Sequence, residues 1–266
     1  MNRIRNLALY IYNAIEPMLL IILTLIIWQF GVAWLKIPQY IIPSPINVFK
    51  ALWVEFPRLI PHIWVTTYET FLGFFFATLI GIIIAILIAH SRFLQRALYP
   101  ILIITQTTPK VAVAPILVVW FGFGMLPKIT LAFLVSFFPV VINMSIGLLL
   151  VDPDLINLVR SYEATRWKIF KKVRLQNSMP YLFGGMKIAM TLAVVGAIIG
   201  EFVGSDVGLG YVIIIANQQM KADVVFATLI YLAIMGIVLF WLVSAAEKIL
   251  VPWASTGEIE AKAGGL

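Results

Sequence analysis

The sequence has no cysteine, only two histidines and little charge. Of its 266 residues, 12% are charged and 62% are hydrophobic, with a mean hydropathy of +1.02. The lack of cysteine excludes disulfides, thiolate metal sites and cysteine nucleophiles, and His62 and His90 are too far apart in sequence to indicate a metal cluster. A chain this apolar cannot shield itself from water by folding alone. The composition therefore excludes an ordinary soluble enzyme and predicts an integral membrane protein.

Sequence signatures of catalysis and of nucleotide hydrolysis are also missing. The chain has no G-x-x-x-x-G-K-[ST] phosphate loop, no G-x-S-x-G, no H-E-x-x-H and no G-x-G-x-x-G. We therefore expect no enzymatic activity and no cofactor in this chain. It also lacks a convincing internal repeat, which counts against a self-contained secondary transporter and suggests half of a larger assembly.

Apolar runs of about 20 residues predict an all-α fold with about six transmembrane helices, five or seven being the alternatives. The runs cover residues 17–35, 70–89, 98–120, 129–151, 188–200 extended by 180–187, and 224–246. The first run could be a signal peptide, but aromatic residues stand where a cleavage site would be, so an anchored helix is favoured. Pro109 and Lys110 interrupt the third run. Residues 207–220 are expected to form a short helix that dips into the membrane or lies on its outer surface.

Basic residues predict the orientation of these helices. With a cytoplasmic N-terminus, about 13 of the 19 lysines and arginines fall on the inner side of the membrane and 5 on the outer side. This bias favours an N-in, C-in topology, and it explains the net charge of +7 without nucleic acid. The sequence thus predicts a multi-pass protein of the cell (inner) membrane.

The sequence predicts three regions along the chain. Residues 1–64 are predicted to hold an anchor helix and an external segment, in which Ser44 caps a helix that starts with Pro45. This helix is expected to lie along the interface over residues 45–56 and to end at Pro57. Residues 65–250 form the expected membrane core, and residues 251–266 a cytoplasmic tail.

The segment 151–180 joins the fourth and fifth runs on the predicted inner side. Asp152 or Asp154 can cap a helix whose apolar residues recur on one face. A second stretch, residues 167–173, mixes aromatic and basic side chains in the way of a helix at a lipid surface. The segment is either a basic loop that only enforces topology or a helix-turn-helix that receives a partner, and the second interpretation is favoured.

Ionisable groups within membrane runs are candidates for function. Glu69, near the outer start of the second run, is expected to reach water. Lys110 and Glu201 lie in interrupted, polar or glycine-rich stretches, which are tolerated where they face protein or a watery cavity. The residues expected to line a translocation path are Gln106, Thr107, Thr108, Lys110 and Glu201, with a purely structural turn around Glu201 as the alternative.

Several stretches together resemble the permease subunits of binding-protein-dependent ABC importers of the nitrate/sulfonate/bicarbonate (taurine-like) type. They are residues 42–45 (IPSP), 109–122, the basic stretch 160–175, 180–183, and the pair G-E-F at 200–202 and G-L-G at 208–210. Each stretch is weak alone, whereas their order and spacing from about residue 15 to 250 are specific.

The 151–180 segment departs at several positions from the sequence pattern that this family has in its cytoplasmic coupling loop. Residues 157–159 (N-L-V) replace E-A-A, Glu163 takes the place of a glycine, Val173 that of isoleucine and Gln176 that of proline. Glycine would allow a left-handed turn between two short helices, which glutamate adopts only at a cost. The turn is therefore rebuilt, or coupling is weakened, or the chain pairs with a different permease chain.

The resemblance implies a type I ABC importer permease fold and a set of partners. Two permease subunits, as a homodimer or a heterodimer, would form the passage in the lipid bilayer, with ATP bound by two separate ATPase subunits and solute delivered by an extracytoplasmic binding protein. The expected ATPase contacts are Leu158, Arg160, Ser161, Tyr162, Glu163, Ala164, Thr165 and Arg166. The solute would be nitrate, a sulfonate such as taurine, a pyrimidine-type vitamin precursor or an aromatic acid. An ion-gradient-driven transporter or channel is the alternative.

Overall fold

The computed structural model describes residues 2–107 and 109–253, with side chains from Met18 onward except those of Tyr99, Ile103, Gln106 and Thr107. All regular structure in these residues is helical. The helices are α1 (Asn2–Trp34), α2 (Pro45–His90), α3 (Arg92–Thr107), α4 (Ala114–Phe121), α5 (Met125–Leu149), α6 (Pro153–Ser161), α7 (Arg166–Ile169), α8 (Leu175–Gly204), α9 (Leu209–Gln218) and α10 (Ala222–Leu250).

Within the described residues, four helical segments are long and apolar enough to cross a membrane. They are Pro45–His90, Met125–Leu149, Arg166–Gly204 and Ala222–Leu250, and shorter apolar helices cover Met18–Trp34, Lys110–Phe121 and Leu209–Gln218. These segments account for the six predicted runs, because the first and the third run correspond to α1 and to the α3–α4 pair. The all-α membrane fold is confirmed.

The second helix is longer than the sequence predicted. Ser44 does cap its start, since its Oγ accepts a hydrogen bond from the Asn47 backbone N–H at 3.4 Å. The prediction of a separate interfacial helix that ends at Pro57 is wrong, however, because α2 continues from Pro45 through Pro57 to His90. A proline removes one hydrogen bond from the helix, and the turns on either side of it keep theirs. The predicted boundary between residues 64 and 65 falls within this helix.

The third and fifth runs have the predicted irregularities. Helix α3 ends at Thr107, a short 3-10 turn covers Lys110–Val113, and α4 begins at Ala114, so the predicted interruption is confirmed. The fifth run is extended at its N-terminal side, because α7 continues through a π-helical turn, Phe170–Arg174, into α8. After α8, the predicted short helix is found as α9.

The described chain divides into two compact units. The first contains the residues up to Ile60 and Val212–Tyr231. Aromatic contacts hold it together: the ring centroids of Trp28 and Phe226 are 5.6 Å apart, and those of Phe56 and Tyr231 are 5.7 Å apart. The Tyr231 hydroxyl also donates a 2.7 Å hydrogen bond to the Leu52 carbonyl.

The second unit, Pro61–Tyr211 and the residues from Leu232 on, is built around α5 and α8. Small residues allow the backbones to approach closely, as is typical of membrane helices. A methyl group built on Gly196 would lie 2.7 Å from Ala132 Cα, and one built on Gly200 would lie 2.8 Å from Lys128 Cα. Apolar side chains fill the remaining space, with Leu131, Val140 and Val141 fully buried.

Candidate functional site

The 151–180 segment folds as the predicted helix-turn-helix. Asp152 caps α6, since its Oδ1 accepts a 2.8 Å hydrogen bond from the Asp154 N–H, and Pro153 occupies the first turn. No side chain of α6 is buried. Leu155 and Leu158 are 44% and 55% exposed. A short amphipathic helix thus presents its apolar side chains on the surface of the chain.

The turn after α6 keeps the left-handed conformation in spite of the missing glycine. Glu163 has a φ of +58°. Its N–H donates to the Arg160 carbonyl at 2.9 Å, and the Ala164 N–H donates to the Val159 carbonyl at 3.4 Å. The Thr165 hydroxyl then accepts from the Lys168 N–H and caps α7. The backbone of this turn is therefore not rebuilt, because Glu163 has the left-handed conformation that glycine favours.

The predicted ATPase-contact residues form one continuous, mostly exposed stretch. Leu158, Arg160 and Ser161 end α6, Tyr162, Glu163 and Ala164 form the turn, Thr165 caps α7, and Arg166 begins it. All are exposed except Ala164, which is half-buried. Because α6 ends at Ser161, the predicted contacts span the end of this helix, the turn and the start of α7. The contact itself stays a prediction.

The residues predicted for the translocation path are described only in part. Gln106 and Thr107 form the end of α3, but their side chains, and all of Thr108, lie outside the described residues. Lys110 is half-buried at the break after α3, and its Nζ lies 5.0 Å from the centroid of the Phe138 ring. Their role in the path stays a prediction.

Two distant charged residues meet in the interior of the second unit. Glu69 Oε1 on α2 lies 2.5 Å from Lys128 Nζ on α5, and the two side chains are 0% and 3% exposed. Lys128 Nζ also donates a 3.0 Å hydrogen bond to Ser205 Oγ. The expectation that Glu69 reaches water is wrong, since a buried cation neutralises it within the protein.

Glu201 lies beside this ion pair and holds the turn that follows α8. Its Oε1 accepts from the Thr66 hydroxyl at 2.6 Å and its Oε2 from the Gly210 N–H at 2.5 Å. The Thr66 hydroxyl in turn accepts from the Leu209 N–H at 2.9 Å. The carboxyl thus satisfies backbone groups at the start of α9. Its predicted role in the path stays a prediction.

The glycines of the G-L-G motif are required by this carboxyl. Gly208 has a φ of +116°, and a Cβ at that position would overlap the Glu201 carboxyl group. A Cβ on Gly210 would lie 2.8 Å from Glu201 Oε2. The Gly208 N–H donates to His62 Nδ1 at 3.0 Å. The spacing between G-E-F and G-L-G therefore reflects one tightly packed, hydrogen-bonded turn.

The cluster consists of His62, Thr66, Glu69, Lys128, Glu201 and Ser205, and only part of it can be recognised from the sequence. Glu201 is recognisable because it is an ionisable group in a membrane run. Lys128 is one of the 5 basic residues on the predicted outer side, yet it is 2% exposed in the structure. A signal was present, since Glu69 and Lys128 are opposite charges at the predicted outer ends of the second and fourth runs. Their pairing could not be read from either run alone.

Comparisons with known proteins agree with the fold. The chain is 37% identical over 227 residues to a probable ABC transporter permease protein of Haemophilus influenzae, covering 85% of this chain and 93% of that protein. It is 34% identical to the riboflavin transport system permease protein RibX of Chloroflexus aurantiacus, with 96% of each chain covered. It is 32% identical to the formylaminopyrimidine transport permease protein ThiX of Halalkalibacterium halodurans, covering 91% of this chain and 97% of that protein.

A solved structure and a family model extend these similarities. An inward-facing structure of the MetNI methionine ABC transporter superposes with a TM-score of 0.60 at 24% identity, over 73% of this chain and 94% of that one. The similarity confirms the type I importer permease fold. The family model of the binding-protein-dependent transport system inner membrane component matches residues 77–254. The match covers α5, α8 and the hairpin that α6, the turn and α7 form between them. The chain therefore belongs to this family of inner membrane transport components.

Proposed function

We propose that this chain is the membrane-spanning permease subunit of an ATP-driven importer, in which separate ATPase subunits supply the energy and an extracytoplasmic binding protein supplies the solute. Family membership and the named relatives support this role. The sequence also lacks the phosphate-loop motif of an ATPase, which agrees with a separate ATPase subunit. Two permease chains would enclose the passage, as a homodimer or with a related second chain.

The observation that carries the proposal is the exposed hairpin formed by α6, the turn and α7. Leucine and aromatic side chains stand out from it, with Leu158 55%, Tyr162 79% and Trp167 67% exposed. Apolar anchors next to arginines are typical of protein interfaces. On the predicted cytoplasmic side, this hairpin is the surface that an ATPase would bind.

The helix that follows the hairpin provides the mechanical connection. Helical structure is continuous from Arg166 to Gly204, over 39 residues, which corresponds to a length of about 58 Å at 1.5 Å per residue. A displacement of the hairpin is therefore passed along α7 and α8 toward the far side of the membrane as a rigid-body motion. The passage between two permease chains would open and close in response.

The solute is proposed to be small and polar or anionic. Relatives are named for formylaminopyrimidine, riboflavin, aliphatic sulfonates and nitrate. The two relatives at 32% and 34% identity described above are named for nitrogen heterocycles, so such compounds are the first candidates to test. Selection among solutes would rest largely with the binding protein.

The test is uptake into proteoliposomes that contain the permease, its ATPase and a loaded binding protein. We expect uptake to require ATP and both partners. Uptake driven by an ion gradient without ATP would contradict the proposal and favour a secondary transporter or channel.

A charge-reversed hairpin tests the coupling surface. Arg160→Glu together with Glu163→Arg should weaken co-purification of the ATPase and lower ATP-dependent uptake, because both side chains are exposed in the proposed interface. The control reverses the surface pair Arg58 and Glu55, which are 59% and 22% exposed and whose Nη1 and Oε2 are 3.3 Å apart on the predicted external side. Normal assembly and uptake in the hairpin variant, or an equal loss in the control, would refute the assignment.

A further inference from the structure

An open groove lies between α3 and α5, outside both the hairpin and the buried cluster. Its volume is about 670 Å³, and its lining residues are Gln95, Arg96, Pro100, Ile146, Leu149 and Leu150. This volume falls within the range of about 300–1,000 Å³ that small ligands occupy. The wall formed by α5 and Pro100 is apolar, and the polar atoms are concentrated on the first turns of α3.

Among the described residues that line this groove, Arg96 is the charged one. It is exposed, and it makes no hydrogen bond or ion pair with any residue whose side chain the structure describes. An arginine guanidinium binds phosphate groups through paired, charge-assisted hydrogen bonds. The groove thus combines a phosphate-binding group with a surface suited to hydrocarbon.

The position of the groove along the chain matches the inner membrane surface of the predicted topology. Arg92 begins α3 directly after α2 ends, and α5 ends at Leu149, three residues before the Asp152 cap of α6. Basic pockets between membrane helices on the cytoplasmic side bind anionic lipid head groups. Both walls of the groove therefore end where phospholipid phosphates lie.

We propose that this groove binds one anionic phospholipid, with its phosphate on Arg96 and Gln95 and an acyl chain along Ile146 and Leu149. The proposal rests on the membrane orientation of the proposed function. An anionic lipid fits this face better than a second copy of the chain, because its phosphate and acyl chain match the arginine and the apolar wall that meet in one groove. The bound lipid would contact the end of α5 from which the coupling hairpin departs.

Native mass spectrometry of the full-length permease, exchanged into micelles that contain phosphatidylglycerol or phosphatidylcholine, tests the proposal. We expect preferential retention of one phosphatidylglycerol. Arg96→Gln should weaken retention by about tenfold, because it removes the paired, charge-assisted hydrogen bonds that would hold the phosphate. Leu149→Trp fills the groove and keeps the charge of Arg96. It should also lower retention of the lipid, because it excludes the acyl chain.

The matched control is Arg92→Gln, which removes the same charge one turn earlier on an exposed position that does not line the groove. It should leave retention within about twofold of the wild type. Equal loss in both arginine variants would overturn the proposal, as would equal retention of the two lipids, displacement by glycerol phosphate alone, or a dimer formed through this face. The measurement needs no ATPase and no transport, so its failure is distinguishable from failure of the proposed function.

Discussion

Replacing Lys128 with methionine should destabilise the second unit strongly. The substitution keeps most of the side-chain volume but leaves Glu69 buried at 0% exposure without its cation. Glu201 lies close enough for the two carboxyl groups to repel each other when both are charged. Removing one partner of a buried ion pair costs about 3–5 kcal/mol. We expect a loss of stability in this range, since the Ser205 hydroxyl also loses its hydrogen bond from Lys128.

A double substitution separates the stranded charge from the loss of packing. Glu69→Gln in the Lys128→Met background removes the uncompensated carboxylate and should recover about 2 kcal/mol, because much of the penalty belongs to the unpaired charge. The chain offers a matched control in Lys187 and Glu247, which also lie 2.5 Å apart but are 25% and 10% exposed. Because this pair is less deeply buried, the same cycle there should give a smaller coupling energy than the cycle at Lys128 and Glu69.

Unfolding of the purified permease in mixed micelles of dodecyl maltoside and SDS supplies the four stabilities of each cycle. The 8 tryptophans of the chain provide the fluorescence signal. The reasoning would be refuted if the substitutions at Lys128 and Glu69 were additive, or if the less buried control pair showed the larger coupling energy.

Two further predictions concern the backbone. Gly208→Ala should destabilise the chain by about 2 kcal/mol or more, because a Cβ at φ +116° overlaps the Glu201 carboxyl. The control is Gly236→Ala, where the new methyl group has open space around it, and this variant should be neutral or stabilising in the same unfolding assay. Glu163→Gly should stabilise the hairpin by up to about 1 kcal/mol, because the turn has a φ of +58°, and slower hydrogen exchange at the end of α6 would show it. Glu163→Ala removes the charge but keeps the strain, so an equal gain in this variant would contradict the backbone explanation.

Local features of the hairpin could be predicted from the sequence because neighbouring residues produce them. Asp152 caps the helix that it precedes, and the turn at Glu163 lies where the family resemblance expects a left-handed residue. The length of α2 could not be predicted in this way. Pro57 is a helix-ending signal in its local sequence, and the energy that carries the helix past it comes from the rest of the fold.

Hydropathy and charge alone determined that this chain is an α-helical membrane protein, because backbone groups in lipid must find their partners within each helix and every span must be apolar over its length. Tertiary structure decided what the few buried charges do. Lys128 and Glu69 are 59 residues apart, and Thr66 and Glu201 are 135 residues apart, so only the packing of α2, α5 and α8 brings them together. The desolvation cost of each charge is offset in the folded chain by a partner that cannot be identified from the local sequence.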